Sequence, residues 1–332
     1  MKYPSLAVLA AAMLLAGARA PAAPAAHYKL IDLGQALPVG INQRGEIAAN
    51  SITSGRAEVS RNNAWTILPG RLETQAYALN LAGDVAGMSV DWSGGMRAAW
   101  WPRGGGLHLV PALPNAFSGW ATAIADDGTV VGTYFDMATA QQRSFVYTEA
   151  GGTVDLGDFG TSEWSYPYAI NNHGQVVGGY EVDAQYDSHS FLWQAGVFQD
   201  LGALPGSNWN SMRAINDAGH AVGQSTVDST LHATLWDGTR LVDLGTTESG
   251  AMANAINGHD DIVGAGSDPV RLLHGWAAYF GTDGTTIDLE TRVVNLNGWQ
   301  LWEAVGIDDA GVIIGHGLLN HVERAFMLVP QD

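Results

Sequence analysis

The chain has 332 residues, 46% of them hydrophobic and 14% charged, with 42 glycines, no cysteine, and 33 acidic against 15 basic side chains. The net charge of −18 disfavours nucleic acid and anionic membrane surfaces as partners, and the missing cysteines exclude disulfides and cysteine-borne lipid anchors. Glycine at this frequency suits a fold of tight turns, with an apolar content ample for a core.

Residues 1–25 read as a secretory signal. Lys2 is a minimal basic start, Leu6 to Ala16 is an apolar stretch too short to cross a bilayer, and Ala20-Pro21-Ala22 or Ala23-Pro24-Ala25 supplies the small-residue cleavage site. The expectation is export to the periplasm or beyond, no membrane span, and a mature net charge of −20 once Lys2 and Arg19 are removed. Next comes an isolated strand, His27 to Leu33, ending in Asp32-Leu33-Gly34.

From there to residue 330 one unit returns seven times. Ala169-Ile170-Asn171-Asn172-His173-Gly174-Gln175-Val176-Val177-Gly178 is its clearest copy. The turn position recurs as Gly45, Gly83, Gly128, Gly174, Gly219, Asp260 and Gly311, at spacings of 38, 45, 46, 45, 41 and 51 residues. A period of about 44 residues is the length of a four-stranded propeller blade. The repeats fall at about 35–70, 71–115, 116–161, 162–206, 207–249, 250–295 and 296–330, and form a single domain over 27–330.

In the fourth copy the first strand ends at Ile170, Asn171 to Gly174 turn, and Gln175 to Tyr180 is the second strand. His189 to Trp193 alternates as a third, and Val197 to Leu201 is a fourth that closes on Asp200-Leu201-Gly202. Asn42, Asn80, Asp126, Asn171, Asn216, Asn257 and Asp308 are assigned to turn chemistry, because Asn and Asp hydrogen-bond their own backbone in turns. The last copy stops after its third strand, at Arg324 to Leu328, and residues 28–33 are the fourth strand it lacks. The sequence therefore predicts an all-β fold: a seven-bladed β-propeller of four short antiparallel strands per blade, its last blade completed by the N-terminal strand.

His189-Ser190-Phe191-Leu192-Trp193, Asp200-Leu201-Gly202 and the Ala-Ile-Asn-Asn-x-Gly run before them resemble the HAF repeat family of bacterial extracellular proteins. The resemblance covers residues 27–330 and weakens in the first copy, where Arg56 to Ser60 replaces the aromatic strand. It implies a secreted bacterial repeat protein and brings no catalytic residues with it.

Each third strand opens on a basic residue: Arg56, Arg97, Arg143, His189, His232, His274 and Arg324. One per repeat points to a hydrogen bond that every blade needs rather than to a site. The glycines ending the second strands, Gly87, Gly132, Gly178, Gly223, Gly264 and Gly315, imply close backbone approach where blades converge.

Where the copies differ, tryptophans and carboxylates accumulate. Trp120, Trp164, Trp209, Trp299 and Trp302, with Tyr166, fall near the connections between repeats, and Asp136, Asp183, Asp187 and Asp228 follow the second strands. These ten are the candidate ligand-binding residues, since aromatic rings beside hydrogen-bond acceptors suit polyhydroxylated ligands. No nucleophile elbow, metal-binding helix, phosphate loop or calcium loop occurs, so no cofactor or metal is expected and no catalytic residue is singled out. The sequence thus reads as a monomeric, non-catalytic binding module for extracellular carbohydrate or a cell-surface polymer. The alternatives are a protein-interaction scaffold and a polysaccharide hydrolase or lyase acting through loop carboxylates.

Overall fold

A computed structural model of the chain describes residues 24–70, 72–157, 159, 164–182, 187–267 and 275–331. Almost every regular element is a strand, and the one helix among the described residues is a single 3₁₀ turn, Leu289–Arg292. The strands form five four-stranded antiparallel sheets and one eight-stranded sheet, whose halves meet through one parallel pairing, Ser188 with Trp209. The predicted signal at 1–25 falls almost wholly outside the described residues.

Each copy of the repeat supplies its strands in order. The first strands are Ala36–Ile41, Thr74–Leu79, Ala116–Ile124, Ser165–Ile170, Ser207–Ile215, Gly250–Ile256 and Trp299–Ile307. The paired hydrophobics of the second strand pack in opposite directions, as side chains alternating across a strand must. Val176 faces Val131 and Phe191 in one core cluster, whereas Val177 faces Met212, Ala221 and Trp236 in the next. Such a strand is buried on both faces: every residue of Val176–Glu181 is buried. The predicted orphan strand is found as His27–Gly34, antiparallel to Val322–Gln331 at the edge of the last sheet. That last sheet also packs on the first, Ala325 lying against Ala36 and Ala49.

The Asp-Leu-Gly signature and the basic residue of the third strand explain one another. The Asp carboxylate accepts the amide of the glycine two residues on, at 2.7–2.9 Å for Asp32, Asp155, Asp200 and Asp243. The glycine has positive φ, 98° at Gly34 and 100° at Gly157, which glycine adopts without the cost of a Cβ. The carboxylate also holds the third-strand base: Arg143 to Asp155 at 2.8 Å, His189 to Asp200 at 3.0 Å, His232 to Asp243 at 2.9 Å and Arg324 to Asp32 at 2.8 Å. Arg56 instead donates to the carbonyls of Leu68 and Gly70, and Arg97 lies 3.9 Å from Asp91. His274 lies outside the described residues.

The turn asparagines do more than shape their own turns. Asn171 Oδ1 accepts the amides of His173 and Gln175, while its Nδ2 crosses to the carbonyl of Asn216 in the next copy at 3.0 Å. The same crossing runs from Asn42 to Asn80, Asn80 to Ala125, Asn216 to Asn257 and Asn257 to Asp308, at 2.9–3.0 Å. In the third copy the residue at this register is Ala125 rather than the expected Asp126. Asp126 stands one position on, where its carboxylate accepts the Leu81 amide and the Asn172 side chain. The turns therefore form a hydrogen-bonded ladder between copies.

Candidate functional site

All seven first strands carry a β-bulge at one register. The pairing skips Val39, Tyr77, Thr122, Tyr168, Arg213, Asn254 and Val305, each flanked by small or medium apolar residues that stay in the ladder. The extra residue leaves the ladder, and the bulge re-aims its side chain. The bulge also accounts for the glycines ending the second strands. A Cβ at Gly178 would lie 2.0 Å from the Tyr166 carbonyl oxygen, and at Gly223, Gly264 and Gly315 2.0 Å from those of Ser211, Met252 and Glu303. The close approach lies within a sheet, between second strand and bulge, rather than where sheets converge.

The seven skipped residues line one cavity of about 310 Å³, together with Pro38, Tyr166 and Glu303. This is the candidate site, for it is the place to which every copy sends a side chain whose type changes from copy to copy. Tyr166 and Tyr168 stand with ring centroids 4.5 Å apart, and the Arg213 guanidinium carbon lies 5.6 Å from the Tyr168 ring centre. Trp120 donates Nε1–H to the Tyr166 hydroxyl at 2.7 Å, and the Tyr77 hydroxyl donates to Gln75 at 2.7 Å. Across the cavity Asn254 donates to Glu303 at 2.8 Å. Burial raises all three phenols, Tyr166 being pushed up to about 12 despite the Trp120 hydrogen bond. At neutral pH they are neutral hydrogen-bonding groups, with no phenolate to act as a base.

The structure gathers only some of the ten residues expected to bind ligand. Tyr166 lines the cavity and Trp120 touches it through Tyr166. Trp302 is half-buried, edge-on to His316, and lines a second cavity of about 240 Å³ that shares Glu303 with the first. Trp299 is corrected to a core position: it is buried edge-on to Phe326. Trp164 bridges to Gln142 and Trp209 pairs with Ser188 and Thr226, both half-buried. The tryptophans at 120, 209, 299 and 302 belong to first strands rather than to connections, because those strands begin early and carry a second irregularity near their starts. Asp136 Oδ1 accepts the Ala138 amide in a turn, and Asp228 is exposed in a turn at φ 48°. Asp187 is half-buried, and Asp183 lies outside the described residues. No group of three or more possible metal ligands occurs among the described residues.

Tyr77, Tyr168 and Arg213 were missed because a bulge residue looks like any variable strand position. The signal was present: one residue of changing type between conserved small neighbours, as in Ala76-Tyr77-Ala78, Ala121-Thr122-Ala123 and Ala253-Asn254-Ala255.

Residues 72–327 match the family described as a protein of unknown function, DUF3466. The chain belongs to that family. No curated protein matches it. Among solved structures, this DUF3466 chain is similar to a streptogramin B lyase, at TM-score 0.60 and 11% identity over 93% of this chain and 100% of the other. It is also similar to virginiamycin B lyase from Staphylococcus aureus, at 0.57 and 10% over 91% and 99%, and to YCF48 bound to D1 peptide, at 0.55 and 12% over 95% and 100%. At such identities the likeness shows the fold, an all-β propeller. No helix among the described residues is long and apolar enough to cross a membrane.

Proposed function

We propose that this chain is an exported, HAF-type propeller of seven blades that binds a polyhydroxylated ligand, a carbohydrate or cell-surface polymer, at the mouth enclosed by its first strands, without catalysing a reaction. The blade count follows from dividing the eight-stranded sheet at its one parallel pairing, Ser188 with Trp209, into two sets of four like the other five sheets. The pairing of His27–Gly34 with Val322–Gln331 then joins the two ends of the ring.

One observation carries the ligand reading: each copy aims its bulge residue into a common cavity, and those seven residues are two phenols, an amide and a hydroxyl beside two valines and a guanidinium. Aromatic faces next to hydrogen-bonding groups are what sugar rings engage. The support rests on Tyr166, Tyr168 and Trp120 more than on the tryptophans farther round the molecule. Of the loop carboxylates on which a hydrolase or lyase reading rests, Glu303 lines the cavity, Asp187 is half-buried, Glu181 is buried, and Glu163 and Asp183 lie outside the described residues. The test is a polysaccharide-binding screen of the wild type against Tyr168→Ala and Trp120→Ala. Loss of binding in Tyr168→Ala supports the reading, and equal binding by all three proteins removes the cavity from it. Release of reducing or unsaturated sugar would move the assignment to a hydrolase or lyase.

A second reading, a protein-interaction scaffold, has its own observation. Trp92, Phe117 and Met137 are exposed large apolar side chains, at 71%, 68% and 60%. The structure of YCF48 bound to D1 peptide, a protein of similar fold, offers a peptide-bound precedent for this reading. Competition between glycan and partner protein for wild type and Phe117→Ser separates the two readings.

A further inference from the structure

We propose that the cavity's ligand bears a carboxylate, that Arg213 is the group that contacts it, and that the class of ligand is therefore a glycan with an isolated or terminal uronate. This rests on the reading of the cavity as a carbohydrate site. Among the ten residues lining the cavity, Arg213 is the only cation and Glu303 the only anion. Glu303 is engaged, since Oε1 accepts from Asn254 at 2.8 Å and Oε2 lies 4.0 Å from His316 Nε2. Arg213 is not. Its Nε is buried with no acceptor, and the guanidinium makes no hydrogen bond or ion pair with the described residues. It lies over the face of Tyr168, 5.6 Å from the ring centre.

Elsewhere in the chain such a cation is given a partner: Arg143, Arg324, His189 and His232 all meet a carboxylate within 3.0 Å. A half-buried guanidinium left without an anion is costly unless a ligand completes it. Its terminal N–H groups form a planar fork whose geometry fits a carboxylate through two parallel hydrogen bonds. Tyr166 and Tyr168 stand beside that fork to cover a pyranose face, and Asn254 and Thr122 supply partners for its hydroxyls. The net charge of −18 disfavours a long polyanion, which selects a single uronate within an otherwise neutral glycan.

Calorimetric titration tests this with glucuronate- and galacturonate-terminated trisaccharides having neutral inner sugars, with their methyl esters, and with the neutral parent trisaccharides. The wild type should bind at least one acid tenfold or more tightly than its ester. Arg213→Gln should lose that preference while keeping the wild-type melting temperature, and Arg213→Lys should retain part of it. Equal affinity for acid and ester overturns the carboxylate assignment while leaving the carbohydrate site standing, and needs no variant to fold. A preference for a phosphorylated sugar over the uronate also overturns it. Binding of none of these sugars, acidic, esterified or neutral, overturns both this inference and the reading beneath it.

Discussion

Arg324 and Asp32 are 292 residues apart in the chain, yet they meet through two contacts of 2.8 Å, Nε to Oδ1 and Nη2 to Oδ2. Within the interior copies the same pairing joins residues only 11 or 12 apart. The N-terminal strand therefore brings with it the carboxylate that the last sheet needs, as well as hydrogen bonds to an open edge. Deleting residues 28–33 should lower the melting temperature markedly and promote self-association, because the edge of Val322–Gln331 would be left unpaired and Tyr28 would leave the core. Asp32→Asn should cost only about 0.5–1 kcal/mol, since both side chains are about a third exposed. Thermal melts with light scattering check both. A deletion variant that melts like the wild type would show that the terminal strand does not hold the fold together.

The turn ladder has two irregular rungs, and each makes a prediction. Ala125 has no side-chain amide to send on to Asn171, although Asn80 reaches the Ala125 carbonyl from the preceding copy. Ala125→Asn should add a crossing hydrogen bond and raise stability by about 1 kcal/mol. Asp308 is buried, and burial raises its carboxyl pKa despite the amides of Val312 and Ala310. A carboxyl raised in the folded state opposes folding once it ionises, so Asp308→Asn should stabilise most at neutral pH. Its advantage should shrink as pH falls and the wild-type carboxyl takes up its proton. Urea titrations of the wild type and both variants at several pH values read the two effects separately.

His220 and Asp260 give the molecule a pH-dependent contact at 2.9 Å. Asp260 holds the position that is glycine in the other copies, at φ 64°. The hydrogen bond to Asp260 raises the His220 pKa above its ordinary value. Burial alone would push Asp260 up, but hydrogen bonds from His220 and Asn216 outweigh it and hold the carboxyl low. The histidine's contribution is complete below about pH 6.5 and fades as pH rises through its folded pKa. The carboxylate's contribution is present above about pH 4 and fades as pH falls through its lowered value. The stability difference between wild type and His220→Gln should therefore peak between about pH 4 and 6.5. A difference that is flat from pH 3 to 9 would sink the assignment.

What could be read from the sequence was whatever repeats for local reasons. Asn171, Gly174 and the Val176-Val177 pair give their roles away because a turn needs left-handed backbone and a strand buried on two faces needs apolar residues on both. That His189 makes a structural hydrogen bond is legible for the same reason, a polar group in every copy requiring a partner, but its partner Asp200 is found only in the fold. Trp299 misled because a tryptophan at the head of a strand carries no mark of which way it faces. Tyr168 and Arg213 stayed hidden because a bulge is a property of the pairing between two strands, and a single strand's alternation does not reveal it. Ala125 shows the same limit on a smaller scale, since one missing asparagine shifted the assignment to Asp126 until the crossing hydrogen bonds fixed the register.

The bulge itself can be tested at Gly178. A Cβ there would lie 2.0 Å from the Tyr166 carbonyl oxygen and 2.8 Å from the ring of Phe191, so the first strand would have to move away or the bulge flatten. Gly178→Ala should cost about 3 kcal/mol or more, at the upper end for a single added methyl because the clash is with backbone rather than with a side chain that can turn aside. Gly174→Ala offers the contrast: its turn is open, with nothing within 4 Å of an added Cβ, and the penalty is that of placing alanine at φ 71°, about 1 kcal/mol. The two variants should also differ at the cavity. Flattening the bulge beside Gly178 returns Tyr168 to the ladder and withdraws its ring from Arg213, whereas alanine at the turn leaves Tyr168 in place. Ligand affinity measured at a temperature where both variants remain folded should drop for Gly178→Ala and hold for Gly174→Ala. Equal affinity in the two would mean that the bulge does not aim the side chain that the site uses.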